Sequence, residues 1–149
     1  RPKVGLQYSL TKNSTTFEQE YRFSYTEKDG STAKLAIKLN PFDSLKVASD
    51  GISKSTGGLL SWQGPPLGSE DGLVLIFSDA KGNTFSINHN GISKGNKFQV
   101  LAEHSDRLEI GPATILATRK KTTIKKENEV VKMLTIEYYS TPIKFEVKE

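Results

Sequence analysis

The sequence has 149 residues, 26% of them charged and 35% hydrophobic, and it contains no cysteine. A chain of this length buries roughly 70% of the surface that its unfolded form exposes, so it can form a core without disulfides or a structural metal. The absence of cysteine excludes disulfide scaffolds, zinc ribbons, thiolate nucleophiles and iron–sulfur clusters. Length and composition together predict one domain spanning residues 1–149.

Formal net charge is +4, from 21 basic and 17 acidic residues. Five of the basic residues fall within one short segment: Arg119, Lys120, Lys121, Lys125 and Lys126. Without these five, 16 basic residues stand against 17 acidic ones. The excess charge therefore belongs to one segment, and a uniformly basic surface is not expected.

The first predicted element is a β-hairpin. Phe17, Tyr21, Phe23 and Tyr25 alternate with polar residues, which places the aromatic rings on one face of a strand. Turn residues follow at 28–31, and apolar residues alternate again from 33 to 39. The predicted hairpin ends at Pro41, because proline cannot donate to a strand ladder.

Further strands are predicted at 45–47, ending near Asp50, and at 60–62, followed by a Gly-Pro-Pro corner. The continuously apolar run 73–77 predicts a central strand covered on both faces, and it pairs with 84–87 across a turn at 79–83. Short segments at 98–100 and 102–107 predict a strand and one helical turn. Long strands at 114–124 and 130–139 and a final strand at 143–147 complete an all-β, antiparallel sandwich of about nine strands.

Two features of the chain concern its compartment. The longest apolar run, 73–77, is far shorter than the roughly 20 residues of a membrane helix, so no transmembrane segment is expected in this chain. The sequence begins with Arg1, and its single methionine is Met133. This predicts a mature or trimmed chain, from which any signal peptide or lipid anchor would already be gone.

One short repeat is present, Gly51-Ile52-Ser53-Lys54 and Gly91-Ile92-Ser93-Lys94. It indicates either a tandem motif or two turns that use the same Asp/Asn-Gly chemistry. The second interpretation is favoured, since the flanking residues do not align and Asp-Gly and Asn-Gly pairs tolerate a positive φ.

Catalytic and metal-binding patterns are weak. The two histidines, His89 and His104, lack a metal-binding spacing, and the neighbours Ser105 and Asp106 are too close in sequence to His104 to form a catalytic relay. Residues 79–83 have the outline of a calcium loop, but Lys81 takes a ligand position and a tight turn is favoured. No catalytic residue, metal or cofactor is expected.

The basic cluster at 119–126 has two interpretations. Arg119, Lys120, Lys121, Lys125 and Lys126 form a candidate site for phosphate, sulfate or anionic lipid headgroups. Alternatively, the lysines protect an exposed strand edge from pairing with another chain, and Glu127 and Glu129 neutralise part of their charge. The second interpretation is favoured, and the lack of stacking aromatic residues beside the lysines argues against nucleic-acid recognition.

Three aromatic residues are further candidates. Trp62 is expected in the core, where an indole buries a large apolar area. Tyr138 and Tyr139 are adjacent on a predicted strand and must face opposite sides, so one is expected inside and the other exposed.

The segments 60–68, 73–77 and 79–84 carry a strand with one tryptophan, a Gly/Pro corner, an apolar strand and a tight turn. In this pattern the chain resembles immunoglobulin-like β-sandwich modules of bacterial envelope lipoproteins over about 58–148. The resemblance implies a spacer, docking or ligand-binding unit without catalytic residues. The Cys…Trp…Cys signature of antibody domains is absent.

The sequence thus predicts a non-enzymatic structural or protein-interaction module of a bacterial envelope (periplasm or surface) or secreted protein. The expected partner is another protein or an envelope component, without sequence-specific nucleic-acid binding. The alternative is binding of anionic polymers or glycans through the basic hairpin 119–126. The oligomeric state is left open.

Overall fold

The computed structural model describes residues 10–11, 20–26, 28–48, 51–127 and 130–149. These residues form eleven strands and one short helix: β1 (Glu20–Thr26), β2 (Thr32–Lys38), β3 (Asp43–Val47), β4 (Ile52–Ser53), β5 (Gly58–Gln63), β6 (Asp71–Asp79), β7 (Thr84–Asn90), β8 (Lys97–Val100), α1 (Ala102–Ser105), β9 (Gly111–Glu127), β10 (Val130–Tyr139) and β11 (Ile143–Lys148). The predicted all-β class is confirmed. Ten of the eleven strands each overlap a segment predicted above, and β4 has no predicted counterpart, so the count exceeds the predicted nine by two. Phe17, Asp50 and Glu129, which entered the predictions, lie outside the described residues.

The largest sheet has the strand order β4-β11-β9-β6-β7, and β10 lies beside β9 on the same edge as β11. All its pairs are antiparallel except β4 with β11, which are parallel. The predicted β6–β7 hairpin is confirmed, and β6 is a central strand. It is not covered on both faces, however, because Ile76 is exposed while Leu75 and Phe77 are buried.

A second sheet, ordered β3-β5-β8, faces the inner side of the first. Leu60 and Trp62 of β5 and Val100 of β8 belong to the same buried cluster as Leu75 and Ile115 of the large sheet. The two sheets therefore share one hydrophobic core, which stabilises each of them by burial of its apolar face.

The predicted hairpin of β1 and β2 is confirmed, with Phe23 opposite Leu35. The hairpin forms a separate two-stranded sheet, and β2 contacts β10 by packing rather than by a strand ladder.

A β-bulge lies between β10 and β11, where the chain has one residue more than the facing part of β9. Tyr139 pairs with Thr118, whereas Ile143 pairs with Ile115, so four steps along one strand match three along the other. Ser140 closes this bulge, because its amide donates to the Ala117 carbonyl and its Oγ accepts the Ala117 amide at 3.0 Å. The bulge and Pro142 split one long strand into two that share an edge of β9.

Strand β9 is 17 residues long, and its pairing with β6 ends at Lys121. Residues 122–127 pair only with residues 130–135 of β10. This two-stranded ribbon, called the arm below, extends beyond the large sheet. Its outer face is the side of β9 opposite to the one on which Ile115 and Ala117 enter the core.

Candidate functional site

The five basic residues predicted as an anion site do not lie on one surface. Side chains alternate along β9, so Arg119, Lys121 and Lys125 belong to the inner face and Lys120 and Lys126 to the outer face. Arg119 continues the buried row begun by Ala113 and is only 2% exposed. It is therefore an interior residue, and the predicted inclusion of Arg119 in a surface site is wrong.

Arg119 is held by an internal ion pair. Its Nη2 donates to Asp71 Oδ2 at 2.7 Å and to the Pro66 carbonyl at 3.1 Å, and the Phe42 ring centroid lies 5.8 Å from the guanidinium carbon. Asp71 also accepts the Gly68 amide at 2.8 Å. The pair thereby fixes the loop between β5 and β6 to the base of the arm.

The four lysines have different surroundings. Lys121 lies 3.7 Å from Glu70 across a half-exposed ion pair, and Lys120 is the cross-strand partner of Glu137. Lys125 and Lys126 are exposed on opposite faces of the arm. The lysines therefore do not converge on one anion-binding surface. Lys120 and Lys121 lie where β9 is paired on both sides, so the edge-protection interpretation applies only to Lys125 and Lys126.

Large apolar side chains are exposed side by side on the outer face of the arm. Ile124 and Met133 are cross-strand partners and are 63% and 68% exposed, and Val131, next on the same face of β10, is 62% exposed. Cross-strand partners have Cβ atoms about 4.5–5.5 Å apart, so the three side chains form one contiguous patch. We call these three residues the apolar patch.

The apolar patch has no counterpart among the sequence predictions, because lysines dominate the residue pattern of this segment. The sequence does indicate an apolar face. Ile124 is next to Lys125 and therefore on the opposite face of the strand, and residues 131 and 133 are apolar on the returning strand. A ribbon that projects beyond a sheet has no second layer to cover such residues.

Below the patch, the outer face becomes polar. The hydroxyl groups of Thr122 and Thr135 lie 3.1 Å apart. Tyr139 is exposed and donates its phenolic proton to Glu137, and this hydrogen bond is the main cause that raises the pKa of Tyr139. Tyr138 is half-buried against the core, so the predicted division of the two tyrosines is confirmed.

Trp62 is buried as predicted. Its Nε1 donates to the Pro65 carbonyl at 3.1 Å, and its ring meets Phe42 edge-on at 5.3 Å between centroids. The indole is therefore part of the core and is not a surface platform for a sugar.

His104, Ser105 and Asp106 do not assemble into a relay. The Ser105 hydroxyl is fully buried and lies 2.8 Å from the Ser53 carbonyl oxygen, to which it donates. His104 Nδ1 accepts the Leu101 amide at 3.3 Å, and Asp106 pairs with Lys54 at 3.9 Å. Each group thus has a local structural partner.

The turn at 79–83 is built around one carboxylate. Asp79 Oδ1 accepts the amides of Lys81 and Asn83, and Oδ2 accepts the Asn83 side-chain amide and the Glu109 amide, all at 2.8–2.9 Å. These donors, Glu109 foremost, lower the pKa of Asp79 from 3.8 to about 2. Both oxygens are saturated by N–H groups, which is the chemistry of a turn rather than of a calcium loop.

The two copies of the short repeat have opposite surroundings. Ile52 is fully buried, whereas Ile92 is strongly exposed. Gly51 and Gly91 share a positive φ, 78° and 94°. What the copies have in common is therefore turn chemistry, as the favoured interpretation predicted.

Among the described residues, no cluster of three or more His, Asp or Glu side chains is arranged to hold a metal. Within the same ranges, no helix has the length and apolar character needed to cross a membrane. No protein-family model, curated protein or solved structure matches this chain.

Proposed function

We propose that this protein is a non-enzymatic protein-interaction module and that the outer face of the arm is its binding surface. The apolar patch of Ile124, Val131 and Met133 carries this proposal. Contiguous exposed apolar residues with a polar surround mark binding sites on soluble proteins, and here Lys120, Lys126 and the Thr122–Thr135 pair surround the patch on the outer face. Protein interfaces commonly have such an apolar centre and polar rim.

We further propose that the fold is an immunoglobulin-like sandwich. The order β11-β9-β6-β7 in one sheet matches strands G, F, C and C′ of a variable-type immunoglobulin sheet, and β3-β5-β8 matches A, B and E. In this correspondence the arm is an elongated F–G hairpin. The loop between β5 and β6, which Arg119 fixes to the base of the arm, is the B–C loop.

An interaction role is supported by the position of the arm and of the β5–β6 loop, which correspond to the F–G and B–C loops. In variable domains the B–C and F–G loops lie at the same end of the sandwich and form the binding loops. The arm and the β5–β6 loop share one end here, since Thr122 donates its amide to the Glu70 carbonyl at 3.3 Å. The analogy concerns the location of a site and carries no ligand identity.

A non-enzymatic role is supported by the local bonding of the candidate catalytic groups. Ser105 donates to a buried carbonyl, and His104 accepts a backbone amide. Neither residue lines the cavity of about 760 Å³ beside β11 or the cavity of about 420 Å³ between the first hairpin and the arm. A hydrolase would need a nucleophile and a base within reach of a common substrate position.

A bacterial envelope or secreted location remains part of the proposal, and the resemblance to envelope modules is its support. Fractionation of cells that express the protein from its natural gene tests it. Recovery in the cytosolic fraction would contradict it.

Site-specific photocrosslinking tests the interaction surface. A benzophenone amino acid replaces Met133 at the patch, and in a matched control it replaces Ile110, which is exposed just before the other end of β9. We expect a discrete crosslinked protein from position 133 and none from position 110. The same product from both positions, or none from position 133, would contradict the proposal.

A further inference from the structure

A second surface feature lies between the first hairpin and the arm. A cavity of about 420 Å³ is bounded by β1 and β2 and by Lys125 of the arm. Its basic lining residues are Arg22, Lys34 and Lys125, which come from three different strands. We call this cavity the basic cleft; its volume is within the range of small-ligand sites, about 300–1,000 Å³.

The strand register explains why two of these charges meet. Arg22 pairs with Ala36, and Ser24 pairs with Lys34, so all four side chains lie on one face of the hairpin. Arg22 and Lys34 are diagonal neighbours, a relation that separates such residues by about 7–8 Å. Lys125 adds a third positive charge from the arm.

The positive charge of the cleft is only partly neutralised. Arg22 lies 3.0 Å from Glu20 in an exposed ion pair. Within the described ranges, Lys34 and Lys125 have no acidic partner within ion-pair distance. A bound anion would neutralise these two charges.

We propose that the basic cleft binds an acidic sugar residue, a sulfated or carboxylated unit of an anionic polysaccharide. Lys34, Lys125 and Arg22 provide charge-assisted donors for sulfate or carboxylate oxygens, and Ser24 offers a hydroxyl to a sugar hydroxyl. Ala36, on the same face of the hairpin, supplies apolar wall area suited to the C–H face of a sugar ring. This site differs from the predicted basic hairpin 119–126, of which it uses Lys125 alone.

A pair of charge-matched variants tests the site. K34Q/K125Q removes two positive charges from the cleft, whereas K120Q/K126Q removes the same charge from the outer face of β9. Binding of a heparin-derived hexasaccharide is measured by calorimetry at low ionic strength, where surface charges are least screened. We expect K34Q/K125Q to weaken binding about tenfold or more and K120Q/K126Q to weaken it by less than about threefold.

Three outcomes would overturn the proposal: equal weakening by the two variants, which would show a response to net charge alone; no measurable binding to the wild-type protein; or binding of an oligothymidylate of equal charge in preference to the hexasaccharide. Thermal melts confirm that each variant is folded. The single variants K34Q and K125Q, each expected to weaken binding, replace the double variant if its melt is altered. We expect I124T/M133T to bind the hexasaccharide as the wild-type protein does, because the apolar patch is not part of the basic cleft. The proposals for the patch and for the cleft can therefore fail independently.

Discussion

Arg119 Nη2 and Asp71 Oδ2 lie 2.7 Å apart in the interior, with side chains 3% and 9% exposed. Forty-eight positions separate the two residues in the chain. The ion pair joins β9, β6 and the Gly-Pro-Pro corner at the point where the arm leaves the sheet. We therefore assign it the role of fixing the direction of the arm relative to the core.

Breaking this pair should strongly destabilise the protein. R119M leaves Asp71 buried without its cation, and removal of one partner of a buried pair costs about 3–5 kcal/mol. D71N should be destabilising in the same direction. In a double-mutant cycle followed by urea unfolding, R119M/D71N should be less destabilised than the sum of the single variants by about 1–3 kcal/mol. Additive effects would contradict a direct coupling.

The bulge after β10 should depend on one hydroxyl group. Ser140 Oγ accepts the amide of Ala117, a fully buried residue. S140A removes this acceptor and should lower the free energy of unfolding by about 1–3 kcal/mol, because a buried donor loses its partner. S140T keeps a hydroxyl and is the matched control. Equal stability of S140A and the wild-type protein would show that the bond is dispensable.

A comparison of Gly57 with Gly91 distinguishes the cost of a steric clash from the cost of a positive φ. Gly57 and Gly91 both have positive φ, 76° and 94°. A Cβ at Gly57 would lie 2.0 Å from the Val100 carbonyl oxygen, whereas a Cβ at Gly91 would meet nothing within 4 Å. G91A should cost about 1–2 kcal/mol, the penalty of the left-handed conformation. G57A should cost clearly more in the same urea experiment, and equal costs would contradict the predicted clash.

Acid should weaken the turn at 79–83. The pKa of Asp79 is lowered to about 2 by its amide donors, below the ordinary value of 3.8. A lowered carboxyl pKa contributes stability that is present above the ordinary value and is lost as the pH falls toward the folded value. The wild-type protein should therefore lose more stability than D79N between pH 4 and about pH 2. D106N, which removes an exposed carboxylate, should retain the wild-type acid response; if D79N also retains it, the assignment fails.

The local hairpins were predictable from the sequence because their pairing is encoded by neighbouring residues. In β1–β2 and β6–β7, the strand residues and the turn residues that define the hairpin all lie within one short segment. The parallel contact of β4 with β11 was not predictable, since it joins residues 52–53 to residues 147–148. A two-residue strand carries too little pattern to be recognised alone.

The candidate sites were harder to predict because they depend on contacts between distant segments. Arg119 stands in a basic run and has the appearance of a solvated residue, but its partner Asp71 and the Pro66 carbonyl bring it inside. The basic cleft combines Lys34 with Lys125, which no sequence spacing relates. The apolar patch lies on the arm, which projects because the pairing of β9 with β6 ends at Lys121, a limit that alternation along β9 does not reveal.

If the apolar patch binds a protein partner, two matched double variants will differ in their affinity for the crosslinked partner. I124T/M133T removes two exposed apolar side chains from the arm, and L101T/I110T removes two exposed ones elsewhere. Threonine preserves strand propensity, so the arm should remain folded. We predict a loss of affinity of at least about tenfold for I124T/M133T and less than about twofold for L101T/I110T. Unchanged affinity of I124T/M133T, or equal losses in both variants, would contradict the claim.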